Sequence, residues 1–534
     1  MNKRLLNSIR KLLRPVLRAT LIDPQQASVF RYLKNTRTAV PPSNDVILVQ
    51  CVEDVFYFGL FGQIALSMQE QQHAIKVEQY VLRSMRVGEA KSIFSFIASR
   101  MFINPLYNFK WVRLYNSFCN GVGYRSGSLQ PISDVFDFYR AWMCWRNLDN
   151  KKDLISLVID DVAVGDLVND SFLRFKPAPT VDLKDNYLLI LLWQAHRDIR
   201  RAKAYFGCTK PKLYLTSYST YTHHGIPVRV ALQHGVRVFS FGNYQEFTKE
   251  LTLKDFVHTK NPDAYADDFS RLNGREEKLA LAESALSARM AGQIDSATAY
   301  MKKSAYAESG ESVPDVRDAV VIFLHDFYDS PHVYREMVFP DFWEWLCFTI
   351  ETLNSANIRF FVKPHPNQIN LSETALSKLR DRYPDTQMVP SSITNKQLVE
   401  AGMACAVTVY GTVAHEMAYF GVPTIAAAHH PHISFDFCRT AESLNEYAEL
   451  LRHYAEIGID KQAMHRQSLE FYYMHNLCVT DEEKALRDAA MDFRMICDQA
   501  AKTDELVDRL QKISRLSEYR DCVSGPQRWG AIFN

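Results

Sequence analysis

Two α/β domains, each built on a parallel sheet, are predicted by three features of this sequence. It is 534 residues long, too long for one ordinary core. Short apolar runs alternate with helical segments in two separate stretches, and clusters of polar or charged residues follow those runs. Hydrophobic residues make up 47% and charged residues 23%, as in a globular protein, and a net charge of +1 leaves no general field for nucleic acid. Ten cysteines are scattered without a CxxC pair, which argues against a zinc site or disulfide framework and points to reduced thiols in the cytoplasm. No window reaches the roughly 18 apolar residues of a spanning helix.

The chain divides into five parts. Residues 1–44 open with Lys3, Arg4, Arg10, Lys11, Arg14 and Arg18 ahead of the first acid, Asp23, interleaved with leucines and isoleucine. This reads as a basic amphipathic helix interrupted near Pro15, and residues 1–20 suit either peripheral contact with the inner face of the membrane or packing on the protein itself. Residues 45–247 form the first α/β domain, with strands at 45–51, 76–82, 154–159, 212–217 and 236–241 and helices at 57–74, 185–205 and 226–232. Residues 248–317, polar and rich in Ala, Glu and Lys, read as a helical linker. The second α/β domain, 318–440, has strands at 319–324, 358–362, 386–389, 405–409 and 423–427, separated by helices at 342–354, 371–383, 395–400 and 413–420. Such alternation gives a doubly wound, Rossmann-like sheet that binds ligands beyond the carboxyl ends of its strands. Residues 441–534 are read as helices packing across both domains.

The clusters with chemical content fall at strand ends. Strand 358–362 runs into Lys363-Pro364-His365-Pro366, where two prolines stiffen the backbone beside a cationic and an imidazole side chain, an arrangement suited to a phosphate. Strand 405–409 runs into Tyr410-Gly411-Thr412 at a helix start, with Glu416 one turn in: backbone amides for an anion and a carboxylate for ribose hydroxyls. Strand 319–324 ends in His325-Asp326, and His325 is a further donor-binding candidate. In the first domain Asp160, Asp161 and Asp166 follow strand 154–159 and suit a general base or a nucleophile. Tyr221, His223, His224 and Arg229 follow strand 212–217 and suit an anionic acceptor sugar. No metal ligand set and no cofactor beyond a nucleotide-sugar donor is read from these residues.

Residues 360–368, the segment 409–416 (Val-Tyr-Gly-Thr-Val-Ala-His-Glu) and the Gly421-Val-Pro-Thr-Ile425 that follows resemble the nucleotide-binding half of bacterial capsule and lipopolysaccharide transferases of the GT-B class. The His-Pro pair is similar to that of transferases using CMP-activated ulosonic acids of the Kdo, sialic or pseudaminic type. The resemblance covers 319–437 closely and the first half in layout. It implies two Rossmann-like domains facing a cleft, and it carries phosphate contacts onto His365 and Thr412. It also implies metal-independent transfer of a ulosonic acid from its CMP donor to a glycan or lipid-linked glycan acceptor. Many sialyl members place their base in an acidic pair followed by glycine; here Asp160-Asp161 is followed by Val162, with glycine only at Gly165. A UDP-sugar or CDP-glycerol transferase, a sugar epimerase and a non-catalytic, export-associated glycan-binding protein are the competing readings.

Overall fold

The computed structural model describes residues 16–37, 45–71, 75–127, 130–176, 178–243, 246–293, 311–365, 372–458, 460–499 and 503–515. They form two compact units: one of the described residues up to 176, from 182 to 258 and from 480 to 515, the other of those from 178 to 181 and from 259 to 479.

The first unit holds a six-stranded sheet. Its strands are β1 (Val46–Cys51), β2 (Lys76–Val81), β3 (Gly121–Arg125), β6 (Leu213–Thr216), β7 (Arg237–Phe241) and β8 (Thr248–Leu251), in the order β3-β2-β1-β6-β7-β8. All neighbours are parallel except β7 and β8. β1 is buried along its whole length, as expected for a central strand covered by helices on both faces. The chain winds from β1 to β3 on one side and then crosses to β6 on the other, so the sheet's direction reverses between β1 and β6. The helix Val55–Gln71 between β1 and β2 uses glycine for close packing. A Cβ on Gly59 would lie 2.8 Å from the Phe493 ring, and one on Gly62 would lie 2.4 Å from Leu33.

Two elements of this unit differ from the sequence reading. The strand expected at 154–159 is a helix, Lys151–Ile155, followed by a two-residue hairpin of β4 (Val158–Ile159) and β5 (Val162–Ala163). Asn150 and Asp153 form a reciprocal capping box, which sets the helix start against the apolar run. Asp160 and Asp161 are the hairpin turn, both left-handed (φ 46° and 63°), a conformation aspartate tolerates better than most residues. The linker expected from 248 begins instead as β8, an edge strand turned back by Gly242 (φ 90°).

The second unit holds an all-parallel, five-stranded sheet. Its strands are β9 (Val320–Phe323), β10 (Phe360–Lys363), β11 (Cys405–Thr408), β12 (Thr424–Ala426) and β13 (Cys438–Thr440), in the order β10-β9-β11-β12-β13. The chain steps from β9 to β10, then crosses back to β11 on the other side of β9, which makes the carboxyl ends of β9 and β11 the switch point. The strand expected at 386–389 is reduced to one bridge, Val362 to Met388, and β13 was not anticipated. Of the terminal helices, Leu444–Arg452 and Lys461–Tyr472 belong to this unit, whereas Asp481–Asp498 and Asp504–Arg515 return to the first. There Gln25 ties the helix Pro24–Thr36 to the carbonyls of Ile496 and Gln499, at 3.2 and 2.9 Å. Both units are thus Rossmann-like by their own strand order. Among the described residues no helix is long and apolar enough to cross a membrane.

Candidate functional site

In the second unit the polar residues converge on the switch point. His325, directly beyond β9, stacks on Phe342 (4.8 Å, 11°) and lies 4.5 Å from the Tyr410 ring. Its Nε2 is 3.2 Å from Thr408 Oγ1 and accepts from the Tyr410 amide at 3.4 Å. Because the Gly411 amide donates to Thr408 Oγ1 (3.3 Å), the threonine proton is free to go to His325. His325 is therefore neutral and protonated on Nδ1, in keeping with a pKa that burial lowers to about 3. A Cβ on Gly411 would lie 2.7 Å from Thr408 Oγ1, so only glycine lets the chain turn this tightly past the hydroxyl.

Lys363 ends β10 with its ammonium 5.9 Å from the centre of the Phe323 ring. Among the described residues that ammonium makes no hydrogen bond or salt bridge, and burial lowers its pKa to about 8 while the Glu416 charge acts in the opposite sense. Glu416 is 3% exposed and accepts from Asn395 Nδ2 at 2.6 Å, so it serves as a buried counter-charge and would have to be uncovered to reach a ribose. Burial and the Lys363 charge lower the His365 pKa, with Asp326 opposing them; Asp326 is itself held by Ser372 Oγ at 2.8 Å. Thr412 is exposed, and its hydroxyl makes no capping bond to the short helix Val413–Tyr419. Neither its amide nor that of Val413 donates to another described residue. One cation, two imidazoles, a hydroxyl and two amides therefore lie beyond the carboxyl ends of the neighbouring strands β10, β9 and β11, donor types that suit a phosphate. Pro366 lies outside the described residues.

The first unit disperses the expected carboxylates. Asp160 pairs with Arg140 (Oδ1 to Nη2, 2.5 Å) on the exposed hairpin, and Asp161 shares the turn. Asp166 is engaged by Arg229, with Nη1 to Oδ1 at 2.7 Å and a second bond from Nη2 to Oδ2; Arg229 also donates to the Ala163 carbonyl at 2.6 Å. Asp166 and Arg229, assigned separately to catalysis and acceptor binding, are thus one bidentate pair. Tyr221 (φ 61°), His223 and His224 do cluster beyond β6: the two imidazoles are 4.1 Å apart, burial drops the His224 pKa to about 3, and Tyr218 packs on His224 at 5.7 Å. His258 completes this group, its Nδ1 lying 3.2 Å from Ser219 Oγ.

The sequence reading missed Glu53. It follows β1, on the β1 side of this sheet's switch point, and accepts from Ser84 Oγ at 2.8 Å and Asn108 Nδ2 at 3.3 Å. Burial pushes its pKa up to about 7, against the opposing charges of Arg86 and Lys110. A carboxyl poised near neutrality at a strand end is what general-base chemistry calls for. Its sequence signal, an acid two residues past a mainly apolar strand, was present at 46–53.

No family model matches the chain, and no curated protein does either. Its similarity is to solved structures of nucleotide-sugar proteins. A UDP-GlcNAc 2-epimerase from Neisseria meningitidis bound to UDP-GlcNAc is 9% identical, covering 85% of this chain and 99% of that one, with a TM-score of 0.23. Anabaena Alr3699/HepE in complex with UDP and glucose is 8% identical over 88% and 98%, with a TM-score of 0.24. The wall teichoic acid polymerase TagF soaked with CDPG is 11% identical over 96% and 100%, with a TM-score of 0.20. At those scores the likeness carries no weight for site or substrate, and the site stands on its own geometry.

A separate buried group, His430, His432 and Cys438, places its three potential ligand atoms within 4.8 Å of one another. The two imidazoles stack at 3.9 Å and 27°, so their in-plane lone pairs run side by side instead of meeting at one point. It is a packing cluster in this form.

Proposed function

We propose that this chain is a nucleotide-sugar-dependent glycosyltransferase in which the second unit holds the donor phosphate and the first supplies the acceptor residues and the base. The observation that carries this reading is the convergence of Lys363, His365, His325 and the unengaged Thr412 hydroxyl and amides at the switch point of β9 and β11. The resemblance of the His-Pro loop to CMP-ulosonic acid transferases selects the donor. The acceptor is then a growing surface polysaccharide, capsule or lipopolysaccharide, at the inner face of the cytoplasmic membrane, with residues 1–20 at the membrane.

In the reaction an acceptor hydroxyl oxygen forms a bond to C2 of the ulosonic acid, and the bond from C2 to the phosphate oxygen breaks. CMP leaves with that electron pair, and the hydroxyl proton passes to a carboxylate. Glu53, half ionised at its pKa of about 7 and a carboxylate above it, is the group best suited to take it. Charge building on the leaving phosphate is met by the Lys363 ammonium, the His365 ring N–H and the amides at Thr412 and Val413, so the step needs no metal ion.

The test is a panel of CMP-, UDP- and CDP-linked donors, scored by thermal shift and by nucleotide release with and without acceptor. Release of CMP from a ulosonic acid donor, with at least a roughly hundredfold loss in His365→Ala at an unchanged melting temperature, is the expected result. Release of UDP or CDP alone would replace the donor assignment, and free sugar released without acceptor would replace transfer with epimerase chemistry.

A further inference from the structure

The helix Pro131–Arg146 in the first unit is inside out. Its acids face inward: Asp134 meets Arg197, Arg200 and Arg201 at 2.8, 2.9 and 2.9 Å, and Asp137 meets Arg200 at 2.8 Å. Its outward face is apolar, with Ile132 79% and Phe136 67% exposed. A helix bathed in water does the reverse. The helical run through Ile93–Ala98, Ser99–Ile103 and Asn104–Tyr115 behaves likewise, with Ile93, Phe94, Phe102 and Phe109 exposed by 81, 83, 63 and 62%.

Both apolar faces are fixed to one element, the helix Asn186–Thr209. Phe96 meets Tyr187 at 5.9 Å, Phe138 meets Trp193 at 5.7 Å, and Trp193 Nε1 donates to the Asp134 carbonyl at 2.8 Å. Residues 91–113 hold Lys91, Arg100, Lys110 and Arg113 and no acid, and residues 1–22 hold six basic residues and no acid. On these segments Arg18 and Arg113 are exposed and make no ion pair among the described residues, whereas Arg100 is paired with Glu89 and Lys110 is buried. The two segments are tied together, since Lys110 Nζ donates to the carbonyls of Arg18 and Leu21 at 2.7 and 3.4 Å.

We propose that this face is a docking surface for an anionic lipid bilayer, with its aromatic and aliphatic side chains seated at the boundary of headgroups and acyl chains. Exposed apolar area of this extent marks an interaction site. A second copy is the weaker occupant, because a two-fold contact would bring the exposed Arg18 and Arg113 of each copy to a face whose segments 16–22 and 91–113 contain no acid. Anionic headgroups provide that counter-charge, and the bilayer accepts the apolar side chains. Asn108, which donates to Glu53, lies on one of the helices of this face, so a lipid-borne acceptor would arrive beside that carboxylate. This last link rests on the transferase reading; the docking does not.

The experiment is co-sedimentation of the full chain with vesicles of phosphatidylglycerol and phosphatidylethanolamine, and with phosphatidylcholine vesicles. The expected result is binding to the anionic vesicles that weakens with salt. It should fall at least about tenfold in Phe94→Glu/Phe102→Glu and in Ile132→Glu/Phe136→Glu, at unchanged melting temperature. Where a glutamate pair fails to fold, Phe94→Ser/Phe102→Ser is read in the same way. The proposal is overturned if the wild type stays in the supernatant, if folded variants bind as it does, or if lipid-free wild type is a dimer that the same substitutions dissociate. None of these readouts depends on turnover.

Discussion

Ser84 donates its hydroxyl to Glu53, Oγ to Oε2 at 2.8 Å, and this bond joins the ends of two adjacent parallel strands around a carboxyl of raised pKa. The hydrogen bond favours the charged form, and burial outweighs it. Glu53 is thus a carboxylate kept close to its own titration point.

Glu53→Gln is expected to lower transfer by at least about two orders of magnitude. The wild-type rate should rise with pH through about 7 as the group ionises. The stability effect has the opposite sign. A folded pKa raised from 4.5 to about 7 contributes stability that is full below 4.5 and lost as pH rises through 7. Glu53→Gln should therefore be about 1–2 kcal/mol more stable than wild type at pH 8, with little difference at pH 4.5. A pH–rate profile and denaturant melts at the two pH values check both. Retained activity with no gain in stability would remove Glu53 from the mechanism.

Lys363 predicts a pH dependence of donor binding. Its folded pKa of about 8 lies below the ordinary 10.5, so the burial cost of the charge is present below 8 and relieved between 8 and 10.5, where the unfolded chain still holds the proton. Calorimetric affinity for the free nucleotide should weaken as pH rises through about 8. Lys363→Met should weaken it about tenfold or more at pH 7 and abolish the pH dependence, while making the fold more stable. An unchanged affinity in that variant would place the phosphate elsewhere.

Asp166 predicts a separation of stability from chemistry. Its bidentate bond to Arg229 gives the carboxylate a structural partner. Asp166→Asn is expected to cost about 1–3 kcal/mol of stability, with kcat within a few-fold of wild type. Asp160→Asn, on an exposed turn, should change stability by no more than about 0.5 kcal/mol. A hundredfold loss of kcat at an unchanged melting temperature in either variant would assign the base to that aspartate instead.

Much of the fold follows from local pattern. The buried runs at 46–51, 213–216, 320–323, 360–363 and 405–408 are mainly apolar, with Gln50, Thr216, Lys363 and Thr408 as exceptions, because a strand covered on both faces has no wet side, and that signal is legible without a partner. Helix starts were legible where a cap is local, as at Thr394 with Gln397. The placing of Lys363, His365, Gly411 and Thr412 at strand ends followed from the same pattern.

What the sequence by itself determined, then, is where strands end and which side chains lie beyond them. Only the tertiary structure decided which of those side chains were already spoken for. Asp166 and Arg229 are 63 positions apart and pair only because two helices pack, and the Glu53 carboxyl is pushed up toward neutrality only because the folded chain buries it. The inverted helix Pro131–Arg146 makes the same point, since amphipathic spacing gives a face but not its direction. Periodicity is a local property, whereas charge pairing, desolvation and the sense of a face depend on what the rest of the chain brings alongside.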